Sequence, residues 1–247
     1  MNNQTQSDID RLTRDGYNVD IGAFISRGWE LCQSNLGAFI GFTLLTLVIG
    51  FVLGLIPFVG TIASATIGGP LNAGGLIVAL KTAKQQPVQF GDFFKGFQNA
   101  YFVPLLLTSI VISLLIGLCF IPMGIALALI DPSSQQAPNP TLITVLVVLM
   151  LIGLAGALYL GVSYFFAIPL VIGRRMEFWP AMEASRKLVG RKWVSFFGFA
   201  LVLGLINFAG ALLCGLGLLV TAPLSTCAIV AAYERIVGLP NFDPSQA

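Results

Sequence analysis

Long apolar blocks alternate with short polar links along this chain, and three of the links carry a helical stripe of their own. The apolar runs cover about 36–56, 61–80, 102–130, 141–172, 194–214 and 218–233. Most reach the ~20 residues that a helix needs to cross a bilayer, so the pattern predicts six transmembrane helices. Pro57-Phe58-Val59-Gly60 turns the chain after the first, and Gly215-Leu216-Gly217 turns it before the last. As one helix, the run from Phe102 to Ile130 would be ~43 Å long, more than the ~30 Å hydrocarbon core. A kink or stop is therefore expected at Pro122. The fourth run begins behind Asn139-Pro140, a helix cap and first-turn pair, and continues past Pro169.

The striped links lead directly into spans. Ile21, Phe24, Ile25, Gly28 and Cys32 share one helical face, with Arg27, Glu30 and Gln33 opposite and Trp29 at the edge. Phe90, Phe93, Phe94, Phe97 and Tyr101 form a second stripe, facing away from Asp92, Lys95 and Asn99. In the third, Phe178, Ala181, Met182, Ser185 and Val189 oppose Glu183, Lys187 and Arg191. Helices of this kind beside a span are expected in the membrane interface, although the same stripes would serve packing against protein. Segments 26–42, 94–107 and 185–199 each carry such a helix into a span. The first and third share a Ser-Arg start and a Phe-x-Gly-Phe end, and the even spans hold Pro70, Pro169 and Pro223. The expected fold is an all-α membrane fold: six transmembrane helices as three parallel repeats of interfacial amphipathic helix plus transmembrane hairpin. It occupies 20–238, between a disordered polar tail at 1–19 and a short tail at 239–247.

Charge adds an orientation. The 13 Lys and Arg residues divide as three before the first span, three in 81–101, six in 173–193 and one after the last span. The links on the other side hold none, so both termini are expected in the cytoplasm. The N-terminus lacks a signal-peptide pattern, and the first span should act as its own uncleaved insertion signal. Arg174, Arg175, Arg186, Lys187, Arg191 and Lys192 form the richest basic link. With Trp29, Phe93, Phe94 and Phe97 they are the candidate lipid-interface residues. A basic residue beside an anionic leaflet contributes ~1 kcal/mol, so anionic membrane lipids are the expected partners. Nucleic acid is not, because the cations flank spans. With 56% hydrophobic and 10% charged residues, against ~25% charged in soluble domains, a soluble globular chain is excluded.

Chemistry is sparse. By this partition no Asp, Glu, Lys or Arg lies mid-span, where proton relays and ion-coupled carriers keep theirs. P-loop, HExxH and GxSxG patterns are absent, there is no histidine, and Asp131 has no second carboxylate on its side. The four cysteines lack metal spacing and read as buried small hydrophobes. No catalytic residue, metal site or cofactor is expected. The candidate intramembrane polar residues are Asn72 and Asn207, either helix-packing glue at ~0.6–2 kcal/mol or the lining of a solute path. Gly68, Gly69, Gly74 and Gly75 suggest close approach of another helix.

Residues 68–98, 183–203 and 215–234 resemble a bacterial family of six-span membrane proteins of unknown function. That family is similar to the membrane domain sometimes fused to glycerophosphodiester phosphodiesterases. The resemblance implies membrane embedding and a link to lipid or envelope biology, and carries over no catalytic residues. The resulting expectation is a non-enzymatic inner-membrane protein, lipid-associated or scaffolding in an envelope process; a small permease for a neutral or apolar solute is the alternative.

Overall fold

The computed structural model describes residues 16–56, 59–128, 139–213 and 215–239. Among these residues it contains ten α-helices, one 3-10 helix and no strand. The first four α-helices are α1 (Ile21–Ser34), α2 (Leu36–Gly54), α3 (Val59–Ala83) and, after the 3-10 helix (Phe90–Phe97), α4 (Asn99–Leu118). The others are α5 (Ile121–Ala128), α6 (Pro140–Ser163), α7 (Ala167–Arg174), α8 (Phe178–Gly190), α9 (Trp193–Leu212) and α10 (Leu218–Ile236). Five helical runs are long and apolar enough to cross a membrane: α2, most of α4, the run Pro140–Arg174, α9 and α10. At 25 residues α3 is also long enough, and it mixes Gly, Thr, Pro and Asn with its apolar residues. Its second half is enclosed by the protein, with Ala73 and Ile77 to Leu80 fully buried.

Local chemistry sets the helix ends. Asp20 caps α1, its carboxylate accepting from Ala23 N–H at 3.0 Å. Asn139 caps α6 through Thr141 N–H at 3.1 Å, with Pro140 in the first turn as expected. The expected break near Pro122 is present. Helix α4 ends at Leu118 and α5 begins at Ile121, because a proline nitrogen cannot donate to the Leu118 carbonyl. The same reasoning explains the turn at Tyr164–Phe166 between α6 and α7, four residues before Pro169 and outward. There Ser185 of α8 repairs the ladder: its hydroxyl donates to Ser163 O at 2.9 Å and accepts from Phe166 N–H at 3.1 Å. Gly215 turns the chain before α10 with φ +78. Half of the first turn (57–60) and most of the link 131–140 lie outside the described residues; Val59 and Gly60 already belong to α3.

The core gathers at one end of the bundle. Phe24, Phe165, Phe166, Phe196, Phe199 and Tyr233 meet there, with Phe166 and Phe196 edge-on at 5.2 Å and Phe24 and Phe199 at 5.4 Å. Elsewhere α2, α4, α6 and α9 turn large apolar side chains outward; Phe51, Leu114 and Leu212 are 71%, 65% and 70% exposed. Such a surface belongs in lipid.

The striped segments depart from expectation in instructive ways. Helix α1 buries Phe24, Gly28, Leu31 and Cys32 against α10. A Cβ on Gly28 would lie 2.6 Å from the Ala228 Cα, so only glycine permits this crossing. Helix α8 buries Ala181, Met182, Ser185 and Val189 as the stripe predicts, within the protein rather than against lipid. The second segment is a 3-10 helix, and this corrects the expected α-helical stripe. At three residues per turn, Phe90, Phe93 and Gly96 fall in one row and Asp92 and Lys95 in another. Phe93 is completely buried and Asp92 nearly so, so residues from both faces of the expected stripe are enclosed by protein. Most of the tail 1–19 lies outside the described residues. At its described end Tyr17 and Val19 pack on the core, and the Tyr17 hydroxyl donates to Leu188 O at 2.5 Å.

Candidate functional site

Charged side chains tie the elements together at the end where the core sits. Arg27 of α1 reaches Glu234 of α10 at 3.4 Å and Glu30 at 3.0 Å. Arg174 donates to Val237 O at 2.8 Å, closing the C-terminal end of α10. Asn35, between α1 and α2, donates to Thr82 at 3.1 Å. These contacts bring α1, the ends of α3 and α7, and the end of α10 to one face.

The 3-10 helix is locked onto this face by a buried ion cluster. Lys81 Nζ lies 2.7 Å from Asp92 Oδ2, with side chains only 7% and 5% exposed, and Lys95 reaches Asp92 Oδ1 at 3.2 Å. Asp92 also accepts from Gln89 N–H at 2.8 Å. Burial alone would raise the Asp92 pKa. The Gln89 N–H and the two ammonium groups outweigh it and hold the carboxyl below its ordinary value. Glycine makes the docking possible: added Cβ atoms on Gly74 and Gly96 would strike the backbone carbonyls of Phe93 and Pro70. The chain could have hinted at this pair only through the eleven-residue separation of Lys81 and Asp92, which no periodicity marks.

Phe93 then stacks on Phe42 at 4.4 Å and meets Phe39 edge-on at 5.4 Å. Beneath these rings a cleft of about 260 Å³ runs between α2, α3 and α10. Phe39 and Phe42 line its upper end and Leu53 and Ile67 its lower end; Phe39 and Leu53 are ~21 Å apart along the helix. Thr43, Thr46, Asn72 and Thr226 put polar groups on its otherwise apolar wall. Gly50 and Asn72 are exposed and mark its open side.

The other candidates separate into distinct groups. Asn207 is helix glue: its amide donates to Ser225 Oγ of α10 at 2.7 Å and to Leu203 O at 2.9 Å. Asn72 lines the cleft, and its amide donates to Gly68 O at 2.8 Å. Trp29, Phe94 and Phe97 are exposed, whereas Phe93 is not. Arg186, Lys187, Arg191 and Lys192 are exposed around fully buried Leu188 and Val189, and Arg175 is exposed at the end of α7. Glu183 holds Arg186 at 2.9 Å and Lys187 at 3.7 Å. The Arg186 hydrogen bond, foremost, lowers the Glu183 pKa. Trp193 stacks on Phe197 at 5.3 Å and on Tyr159 at 5.8 Å, an aromatic ridge beside the basic turn. Cys32 and Cys227 are fully buried and Cys119 is half-buried. Among the described residues no three of Cys, Asp and Glu gather as metal ligands would.

Outward apolar helices joined to a charged, aromatic-rimmed end define a helical multi-pass membrane protein. The chain belongs to the family described as protein of unknown function DUF975, whose model matches residues 30–239. No curated protein and no solved structure matches it.

Proposed function

We propose that this is a non-enzymatic inner-membrane protein that associates with anionic lipids at its cytoplasmic face and acts as a scaffold for an envelope process. In this reading α3 is a sixth span, the three striped segments open three parallel repeats, and both termini are cytoplasmic. A relation to the membrane domain fused to glycerophosphodiester phosphodiesterases belongs to the same reading. The observation that carries it is the basic turn of α8. Arg186, Lys187, Arg191 and Lys192 are exposed while Leu188 and Val189 between them are fully buried, so the cations stand off a rigid base beside Trp193 and Tyr159. At ~1 kcal/mol per cation near an anionic leaflet, four such groups hold lipid headgroups. Replacing all four by Gln should lower the anionic lipid that co-purifies in native mass spectrometry. Equal occupancy in two correctly oriented proteins would remove the basis for the reading. The cleft at Asn72 favours a second reading, a permease for a neutral solute; proteoliposome uptake of small polyols distinguishes it.

A further inference from the structure

The cleft between α2, α3 and α10 carries a specific pattern of hydrogen-bonding groups. Thr46 donates its hydroxyl proton to Thr43 O at 2.8 Å, and Thr226 donates its own to Ala222 O at 3.2 Å. Each hydroxyl has one proton, so what these residues can offer a ligand is an acceptor lone pair. Asn72 gives one amide hydrogen to Gly68 O at 2.8 Å, leaving a carbonyl oxygen and one N–H. Acceptors outnumber donors on this wall. A ligand hydroxyl fits it, because it donates as well as accepts; an ester or ether, which only accepts, is left with the single Asn72 N–H.

Depth and charge narrow the ligand further. Among the described residues no ionisable side chain lines the cleft. Thr46 is ten residues from the start of α2 and Asn72 nine before Lys81, or roughly 14–15 Å along each helix. That is near the middle of a ~30 Å hydrocarbon core, where a charged headgroup is expensive and a neutral one costs far less once its hydroxyl is hydrogen-bonded. Space agrees: the volume of about 260 Å³ exceeds the ~150 Å³ apolar cavity that holds benzene in an engineered protein. The exposed side at Gly50 lets a second chain remain in the bilayer.

We propose that this cleft binds a diacylglycerol. Its free hydroxyl is held among Asn72, Thr46 and Thr226, and one acyl chain lies along α2 toward Leu53 and Ile67. The proposal rests on the chain being lipid-embedded as read above, but not on the basic turn of α8.

The test is native mass spectrometry of the full chain with three probes at equal concentration. They are 1,2-dioleoylglycerol, its 3-O-acetyl derivative and dioleoylphosphatidylglycerol. The wild type should carry dioleoylglycerol about tenfold more than the acetylated form, the worth of a hydrogen bond or two made away from water. Gly68→Phe should abolish dioleoylglycerol binding by filling the cleft; a Cβ there meets nothing within 4 Å, so the fold should tolerate it. Asn72→Leu with Thr226→Val keeps the apolar space and should erase the preference for the free hydroxyl, whether or not the Phe variant folds. Equal binding of the two glycerides by the wild type overturns the proposal, as does undiminished binding by folded Gly68→Phe. Retained phosphatidylglycerol with no dioleoylglycerol refutes the cleft alone. Dioleoylglycerol binding with phosphatidylglycerol indifferent to the four-cation replacement refutes the anionic-lipid reading alone.

Discussion

Replacing Asp92 by Asn is the sharpest perturbation of the charged end. The substitution leaves an acceptor for the Gln89 N–H but strips the negative charge that faces Lys81 at 2.7 Å, where neither side chain is more than 7% exposed. Removing one partner of a buried pair costs ~3–5 kcal/mol, because the other charge stays buried and uncompensated. With the Gln89 contact kept, the lower end applies. At ~2–4 °C per kcal/mol for a chain of this size, the variant should unfold about 6–12 °C below wild type, read by size-exclusion of heated detergent-solubilised protein. The double replacement Lys81→Met with Asp92→Leu should recover most of that loss, since an apolar pair of similar volume is often neutral. Single and double variants that both melt with the wild type would refute the reasoning and put the pair in contact with water. The pH dependence has a fixed sign. A carboxyl pKa below its ordinary 3.8 contributes stability that is complete above that value and is lost as pH falls through the depressed one. Asp92→Asn should therefore flatten the acid limb of the stability profile and leave the neutral range parallel to wild type.

Two further substitutions test the packing. Ser185→Ala leaves the Phe166 N–H and the Ser163 carbonyl without the hydroxyl that joins them, and should cost about 1–3 kcal/mol in a denaturant titration. Asn207→Leu should cost ~0.6–2 kcal/mol because it breaks a bond between helices. Asn72→Leu, which removes only a bond to its own helix, should be near neutral in the same titration.

What could be read along the chain was what depends on neighbours in sequence. The break near Pro122 follows from a missing N–H, and the Asn139-Pro140 start and the Gly215 turn are equally local; the break before Pro169 has the same cause, although the fourth run was expected to continue past it. The buried faces of α1 and α8 came through because their apolar residues recur at helical spacing. Phe93 was misjudged because a stripe drawn at 3.6 residues per turn sorts the aromatic and charged residues wrongly once the segment winds as a 3-10 helix. Nothing in 90–97 announces that winding; it comes with the close seat of the segment on α3 at Gly74. Arg174 counted as one more interfacial cation, yet it serves the carbonyl of Val237, 63 residues away. The cleft was least legible. It needs Thr46, Asn72 and Thr226 from three helices, and only Asn72 attracts notice in its own segment.

The central claim is a membrane protein whose charged end faces the cytoplasm. Cysteine labelling in intact cells tests it most directly. In a background with Cys32, Cys119, Cys214 and Cys227 replaced by Ala, a single cysteine at Ser134 should react with a membrane-impermeant maleimide, and one at Ser7 should react only after the cells are permeabilised. Labelling at Ser7 with protection at Ser134 would contradict the account, placing the basic turn of α8 outside the cell.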